Sequence, residues 1–384
     1  MVREQINSLH AVRGLAALAV LNHHLILAIP GVPETLWSTE TSKTFSLTLL
    51  NIIAYSPLHL LWSGHEAVMV FFILSGFVLT LHILRTDEAY WIYALRRLIR
   101  IWIPFMFSLI FALAAASVIQ MVGDNYSGWL RASVPEPVSV MALLGHLLMT
   151  GLGHHMTLSP VMWSLVHEVR ISLLMPLIVF GVVRFPRLSV VASIALLSVG
   201  AVSPSAFALA AESIKQSLYG TLIYIPLFVM GAFLAIYRDM LRKTISALST
   251  PFSVAVLIFG MLLLETRWLV YENELLNHVT GMFGAAIVIM IAFASRGVSI
   301  ALEKPFLIWL GNISYPLYLT HMLVLAVLAD IGTRFQMPTS VVLVAAFFAS
   351  ISFAEMFRRL IDSPVQRLNG ALTRKFTARA IGAA

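Results

Sequence analysis

The sequence predicts an all-α, polytopic membrane protein with about ten transmembrane helices and both termini in the cytoplasm. Three observations carry this. Only 11% of the 384 residues are charged and 59% are hydrophobic, against about 25% and roughly 45–50% in a soluble domain. That is too little charge to coat a water-facing surface, and mean hydropathy stands at +0.90, so a soluble globular enzyme is excluded. Apolar runs near the ~20 residues that cross a bilayer recur from one end of the chain to the other. Finally, the basic residues sort between alternate loops as orientation requires.

The first run, 9–30, is closed by Pro30. No small-residue cleavage pattern precedes its end, so it reads as a retained helix rather than a removed signal. Runs at 66–84 and 101–122 flank a segment carrying Arg85, Arg96, Arg97 and Arg100, which belongs inside. The run at 163–183 ends on Arg184 and Arg187, again inside. Only 101–122 can cross between those two inside clusters before 163–183 returns. The short apolar stretch 137–151, with His146, is therefore expected to lie in the interface or to re-enter. Further runs follow at 188–202, 218–237, 251–265, 278–295, 313–330 and 338–357. Under this assignment 19 of the 25 basic residues face the cytoplasm, five face out and Arg170 lies within a span. Residues 1–357 form one membrane unit and 358–384 a short basic cytoplasmic tail, with no internal repeat. The net charge of +7 thus speaks of orientation in a bilayer and not of nucleic acid. The absence of cysteine excludes disulfides, thiolate zinc sites, iron–sulfur clusters and a cysteine nucleophile.

Ionisable groups inside spans are costly, by about 2.5–3.5 kcal/mol on insertion scales, so each marks a candidate site. Arg13 and His24 are eleven residues apart in the first span, which puts them ~20° apart around the helix and ~16 Å apart along it. One face therefore carries a cation near the inner mouth and a titratable base in the outer half. Glu168 in the fourth span sits five residues beyond Trp163, at a depth similar to that of His24. A carboxylate there can orient an imidazole and raise its basicity; it can also pair with Arg170 or Arg13 as structural glue. Glu66, beside His65 at the start of the second span, is the alternative partner for His24. Arg96, Arg97 and Arg100 can clamp phosphates bidentately, or anchor topology against anionic lipid. Ser75 and Gly76 suit close helix approach, and Ser75 is a weak nucleophile without a nucleophile elbow. In the ninth span Ser314, Tyr315, Tyr318 and His321 lie within about two turns, with Pro316 expected to break or kink the helix start. His154 and His155 are a weak metal signal with no third ligand at a suitable spacing, and no metal is expected.

Taken in order, these landmarks resemble acyltransferase family 3, the integral-membrane O-acyltransferases, from Leu9 to about Met356. The family's arginine–ten residues–histidine pattern matches Arg13 and His24, and its Ser-Gly-Phe signature matches Phe71, Phe72, Ser75, Gly76 and Phe77. The basic stretch matches Arg97, Arg100 and Pro104. Trp163, Ser164, Leu165 and Glu168 match the next motif, and Ser314, Tyr315, Tyr318 and His321 the last. Two positions depart. Met69 stands where the family often has an acid, with Glu66 nearby, and Arg170-Ile171-Ser172 replace a common Gln-Phe-Tyr; the second bears on acceptor-site details.

The resemblance implies acyl-CoA, usually acetyl-CoA, as a co-substrate with no permanently bound cofactor. It implies a carbohydrate hydroxyl on an extracytoplasmic polysaccharide or glycolipid as acceptor, a multi-pass location in the cell inner or plasma membrane, and ten spans. Catalytic expectations fall on His24 as general base, oriented by Glu168 or Glu66; an acyl-histidine intermediate stays open. Donor binding falls on Arg13, Arg97 and Arg100, and the substrate cavity on Ser75, Trp163, Ser314, Tyr315, Tyr318 and His321. An extracytoplasmic partner would be a separate chain. The rival from another class is a secondary transporter for an anionic substrate, which often shows internal repeats and paired broken helices. A membrane scaffold leaves the buried charges unexplained, and the other large membrane O-acyltransferase family lacks these motifs.

Overall fold

In a computed structural model, the described residues are 2–36, 56–134, 139–152, 158–202, 211, 213–269 and 273–382. They form helices and no β-strand. Ten apolar helices coincide with the ten expected runs: α1 Val2–Leu27, α2 Gly64–Ile83, α3 Tyr90–Ala116, α4 Met162–Arg184, α5 Pro186–Val202, α6 Ile214–Ile236, α7 Thr250–Leu264, α8 Glu274–Ala294, α9 Pro305–Arg334 and α10 Thr339–Phe357. Among the described residues, seven helices are long and apolar enough to cross a membrane: α2, α3, α4, α6, α8, α9 and α10. The cores of α5 and α7 are apolar but shorter. In α1 the apolar stripe is diluted by Arg13, Asn22, His23 and His24, the same residues that make it a site.

The stretch around 137–151 is an eight-residue helix, Val140–Leu147, ~12 Å long and well short of a bilayer core. Pro316 does not start or break α9. Pro305 stands in the first turn and the helix runs for 30 residues through Pro316. The apolar segment Phe306–Trp309 begins the helix earlier than hydropathy alone placed it, and Ser314 and Thr320 each donate to a carbonyl within their own helix, at 2.7 and 2.8 Å.

Helix α1 packs along α9 and α2 and also meets α8 and α10. Its crossing with α9 is a backbone contact. A Cβ on Gly14 would come within 2.6 Å of Gly311 N, and one on Gly311 within 2.1 Å of His10 O. Small residues let membrane helices approach this closely, and here the approach brings Arg13 to the same cavity as Ser314 and Tyr315. At the other end α1 stops at Leu27, before Pro30 and Gly31, whose φ of 84° suits glycine. The loop after α3 is fastened there by one hydroxyl: Ser127 Oγ donates to Leu27 O at 2.6 Å and accepts from Leu130 N at 3.2 Å. It caps the short helix Gly128–Ala132 and so sets Trp129 over the end of α1. Beyond α10 the chain continues through a π-helical turn, Arg358–Asp362, into a helix, Ser363–Gly382. Asn369 of that helix donates to Arg96 O at 3.1 Å, tying the C-terminal segment to α3.

Candidate active site

Two polar centres are threaded on α1. The first is a cavity of ≈ 50 Å³ between α1, α2, α3, α4 and α9, into which Arg13, Arg100, Glu168, Ser75, Tyr315 and Tyr318 project. Glu168 Oε1 accepts from Arg97 Nη2 at 3.3 Å and from Ser75 Oγ at 3.2 Å. Tyr315 OH is held by Ile101 O at 2.7 Å, and Tyr318 OH lies 2.5 Å from Ser164 Oγ. Arg13 stands within electrostatic reach of Arg97, Arg100, Glu168 and Asp362. Three guanidiniums thus face two carboxylates, a surplus of one positive charge in a largely buried place. Arg96, though adjacent in sequence to Arg97, turns away to Glu88 at 3.0 Å.

The second centre lies toward the C-terminal end of α1. His24 Nδ1 and His321 Nε2 are 2.8 Å apart, and His321 Nδ1 is 2.8 Å from Leu317 O. A carbonyl only accepts, so His321 carries its proton on Nδ1 and, in the uncharged pair, its Nε2 accepts. His24 must then donate from Nδ1, which leaves the lone pair on His24 Nε2. The backbone of α9 thereby assigns His24 the tautomer of a proton acceptor. Trp129 stacks on the His24 ring with centroids 5.5 Å apart and planes 15° from parallel. His23 contributes an edge at 5.3 Å while its own Nδ1 binds Trp62 O at 3.0 Å. Tyr318 and His321, on successive turns with centroids 6.2 Å apart, connect this pair to the cavity.

Several expected contacts are replaced by others. Glu168 does not orient His24; it serves Arg97 and Ser75, because similar depth on two helices leaves their rotation free. Glu66 does not meet His24 either. It is buried near Glu265 and His59 and lines the far side of α2. Arg170 binds Ser217, Thr221 and Thr150 rather than Glu168. Arg97 is engaged by Glu168 instead of opening onto the cavity, whose lining includes Arg13 and Arg100. Trp163 stands beside the cavity-lining Ser164 and stacks on His65 at 6.2 Å.

The histidine–carboxylate pair expected at His24 occurs elsewhere: His59 Nδ1, ahead of α2, meets Glu265 Oε2, one residue past the end of α7, at 2.7 Å. Burial holds the His59 imidazole down at about 4 and pushes the Glu265 carboxyl up to about 7. Two residues of the main site escaped the sequence reading. Asp362, within reach of Arg13 and Arg100, is the lone acid in the basic stretch 358–367, a signal that was available. Trp129 carried none. Among the described residues no group of three or more metal-binding side chains converges; His154 and His155 lie outside the described residues.

A family model for an acyltransferase domain matches residues 6–356, nearly the whole chain. The chain belongs to acyltransferase family 3. Neither the curated proteins nor the solved structures yielded a match. The motifs that carried the resemblance converge in space on this one region: Arg13, Phe71, Phe72, Ser75, Arg100, Ser164, Glu168, Ser314, Tyr315 and Tyr318 all line the cavity. With its apolar helices, this member of acyltransferase family 3 is a membrane acyltransferase.

Proposed function

We propose that the protein moves an acyl group, acetyl foremost, from cytoplasmic acyl-CoA to a sugar hydroxyl on an extracytoplasmic polysaccharide or glycolipid. It does so from the cell inner or plasma membrane, with ten crossings and both termini in the cytoplasm. The observation that carries this is the His24–His321 pair, whose hydrogen bonds leave His24 Nε2 as the proton-accepting nitrogen. Support comes also from the surplus of guanidinium charge about three helical turns away on the same face of α1.

The phosphates of CoA cannot enter hydrocarbon unpaired, and Arg13 and Arg100 are the groups that meet them. The pantetheine arm follows α1 outward toward His24, ~16 Å along the axis. His24 Nε2 takes the proton of the acceptor hydroxyl as the oxygen attacks the thioester carbonyl. The new C–O bond forms, the C–S bond breaks, and the histidine returns the proton to the departing CoA sulfur. Protons balance, and neither a cofactor nor a carboxylate partner is needed.

The test is acyl transfer from radiolabelled acetyl-CoA to envelope glycans by the protein in lipid nanodiscs. A positioned base contributes about 10²–10⁴-fold, so His24→Ala should lose activity on that scale while donor KM changes little. Full transfer by His24→Ala would remove the base assignment. Anion uptake into vesicles without acyl-CoA consumption would favour a transporter.

A further inference from the structure

Beyond α10 the chain returns to the cavity. The π-helical turn Arg358–Asp362 packs against α3 and α9, the helices that carry Arg100 and Tyr315, as well as against α10. Such turns are rare and recur at functional sites. This one is fastened on both sides. Before it, Glu355 accepts from Arg358 Nε and Nη2, at 2.8 Å each. After it, the C-terminal helix packs on α3, and Asn369 donates to Arg96 O at 3.1 Å. The turn ends on Asp362, which is only 2% exposed and lies within electrostatic reach of Arg13 and Arg100. Asp362 stands outside residues 6–356, the stretch that the family model matches.

The way Asp362 is held sets it apart from the other acids nearby. Glu168 closes on Arg97 at 3.3 Å and Glu88 on Arg96 at 3.0 Å. Among the described residues Asp362 makes no ion pair of that kind with Arg13 or Arg100. Its Oδ2 accepts from Gln366 Nε2 at 2.6 Å, and its Oδ1 is buried with no hydrogen-bond partner among the described residues. A buried pair offsets its desolvation only when the geometry is close and the remaining lone pairs are bonded. Asp362 meets neither condition. Its charge therefore acts over a distance, offsetting Arg13 and Arg100 without closing on their N–H groups. A phosphate that pairs with those guanidiniums meets a negative charge already in place, and the two repel each other.

We infer that Asp362 is the resident counter-anion of the donor site: it balances Arg13 and Arg100 while the site is empty, and it limits how tightly they hold the phosphates of CoA. The inference rests on the acyl-CoA reading and adds to it a residue from outside the family match. Product CoA keeps the donor's phosphates, so the repulsion that weakens donor binding also helps the product leave. The consequence has a sign that a purely structural acid does not share. Deleting a structural partner loosens the site for every ligand. Deleting a competing charge tightens it for anions and leaves a neutral ligand unaffected. At an effective dielectric constant of about 20, one unit charge about 10 Å from another changes affinity on the order of tenfold.

The test is binding of radiolabelled CoA to the full-length protein in lipid nanodiscs, with pantetheine, the same arm without phosphates, as competitor. Asp362→Asn keeps the shape of the side chain and an oxygen for Gln366. It should bind CoA about tenfold more tightly than the unmodified protein, with the inhibition constant of pantetheine unchanged. Asp362→Ser carries the same expectation should the first variant be poorly recovered, and Asp362→Glu, which keeps the charge, should bind CoA as the unmodified protein does. In transfer assays CoA should become a correspondingly stronger product inhibitor of the two uncharged variants. Unchanged or weaker CoA binding by those variants would overturn the inference and leave Asp362 a structural acid. So would an equal gain for pantetheine, or a gain as large in Asp362→Glu. Unmodified protein that binds no CoA would instead remove the donor reading on which the inference depends.

Discussion

The two ends of α1 solve the problem of polar groups in a membrane in opposite ways. In the N-terminal half, Arg13 shares a cavity with Arg100 and the charge of Arg97, and Glu168 and Asp362 compensate only part of it. Toward the C-terminal end, His24 and His321 are held by each other and by a backbone carbonyl, at 2.8 Å in both cases. A surplus of fixed cations attracts anions but cannot exchange protons near neutral pH, since a guanidinium stays protonated. An imidazole in a defined tautomer moves a proton and offers a weak hold on phosphate. On the proposed function this difference is a division of labour along one helix face: charge to grip the donor, a proton acceptor to activate a hydroxyl.

Separating the gripping arginines from the structural one gives the largest effects. Removing a charge-assisted hydrogen bond costs about 1.5–3 kcal/mol, so Arg100→Ala should raise the acetyl-CoA KM by roughly 10- to 100-fold with kcat held within a few-fold. Arg97→Ala should behave differently. It strips the part-buried Glu168 of its ion-pair partner, and losing a charge-assisted hydrogen bond inside the packed protein costs about 1.5–3 kcal/mol of stability. The expected result is a lower thermal midpoint and poor yield rather than a selective KM change. Steady-state kinetics and unfolding curves on both variants check this. Identical behaviour would erase the distinction between the cavity-lining Arg100 and the ion-paired Arg97.

The sequence carried the helices well, because a run of apolar residues is a local property and α2 to α10 each fall on one. It also carried the relation of Arg13 to His24, since both lie on one helix with known periodicity. Relations between helices were another matter. Depth could be counted from Trp163 and Pro30, but whether Glu168 turns toward His24 or toward Arg97 depends on helix rotation, which packing decides. The ninth helix was expected to start too late because Pro316 reads as a breaker, whereas the helix runs continuously from Pro305 through it. Asp362 was visible as a lone acid among arginines and was passed over. Trp129 reaches His24 through Ser127 and the end of α1, a loop contact that no periodicity announces.

A medium effect is expected at His321, which positions His24 without needing to touch the substrate. His321→Ala removes the side-chain acceptor for His24 Nδ1–H, leaving only the Val20 carbonyl of its own helix, and loosens the ring, so kcat should fall about tenfold, the lower part of what a positioned base supplies, with donor KM unchanged. His321→Gln offers a side-chain carbonyl that can accept the same proton and should recover part of the loss. A purely structural role predicts no such recovery, and equal kcat for the two variants would leave the tautomer assignment without function.

The smallest effect concerns His59, a buried histidine that meets a carboxylate, in contrast to the imidazole partner of His24. Glu265 is raised from 4.5 to about 7 by burial, so the folded protein holds that proton more tightly than the unfolded chain, and this contribution to stability declines as pH rises from 4.5 to 7. His59 is lowered from 6.5 to about 4; its folded form resists protonation, and its contribution increases as pH rises from 4 to 6.5. Across the shared window of 4.5 to 6.5 the two slopes oppose each other. Glu265→Gln deletes the falling one, so thermal midpoints of the variant in detergent, followed by tryptophan emission, should climb between pH 4.5 and 6.5 relative to the unmodified protein. Parallel profiles would show that the pair does not titrate on unfolding. With the expected climb, a buried carboxylate beside a histidine is seen to tie the two to a proton of their own. Such a tie would compromise a base that must take a substrate proton and release it in every cycle, and at His24 the partner is an imidazole whose orientation a backbone carbonyl fixes instead.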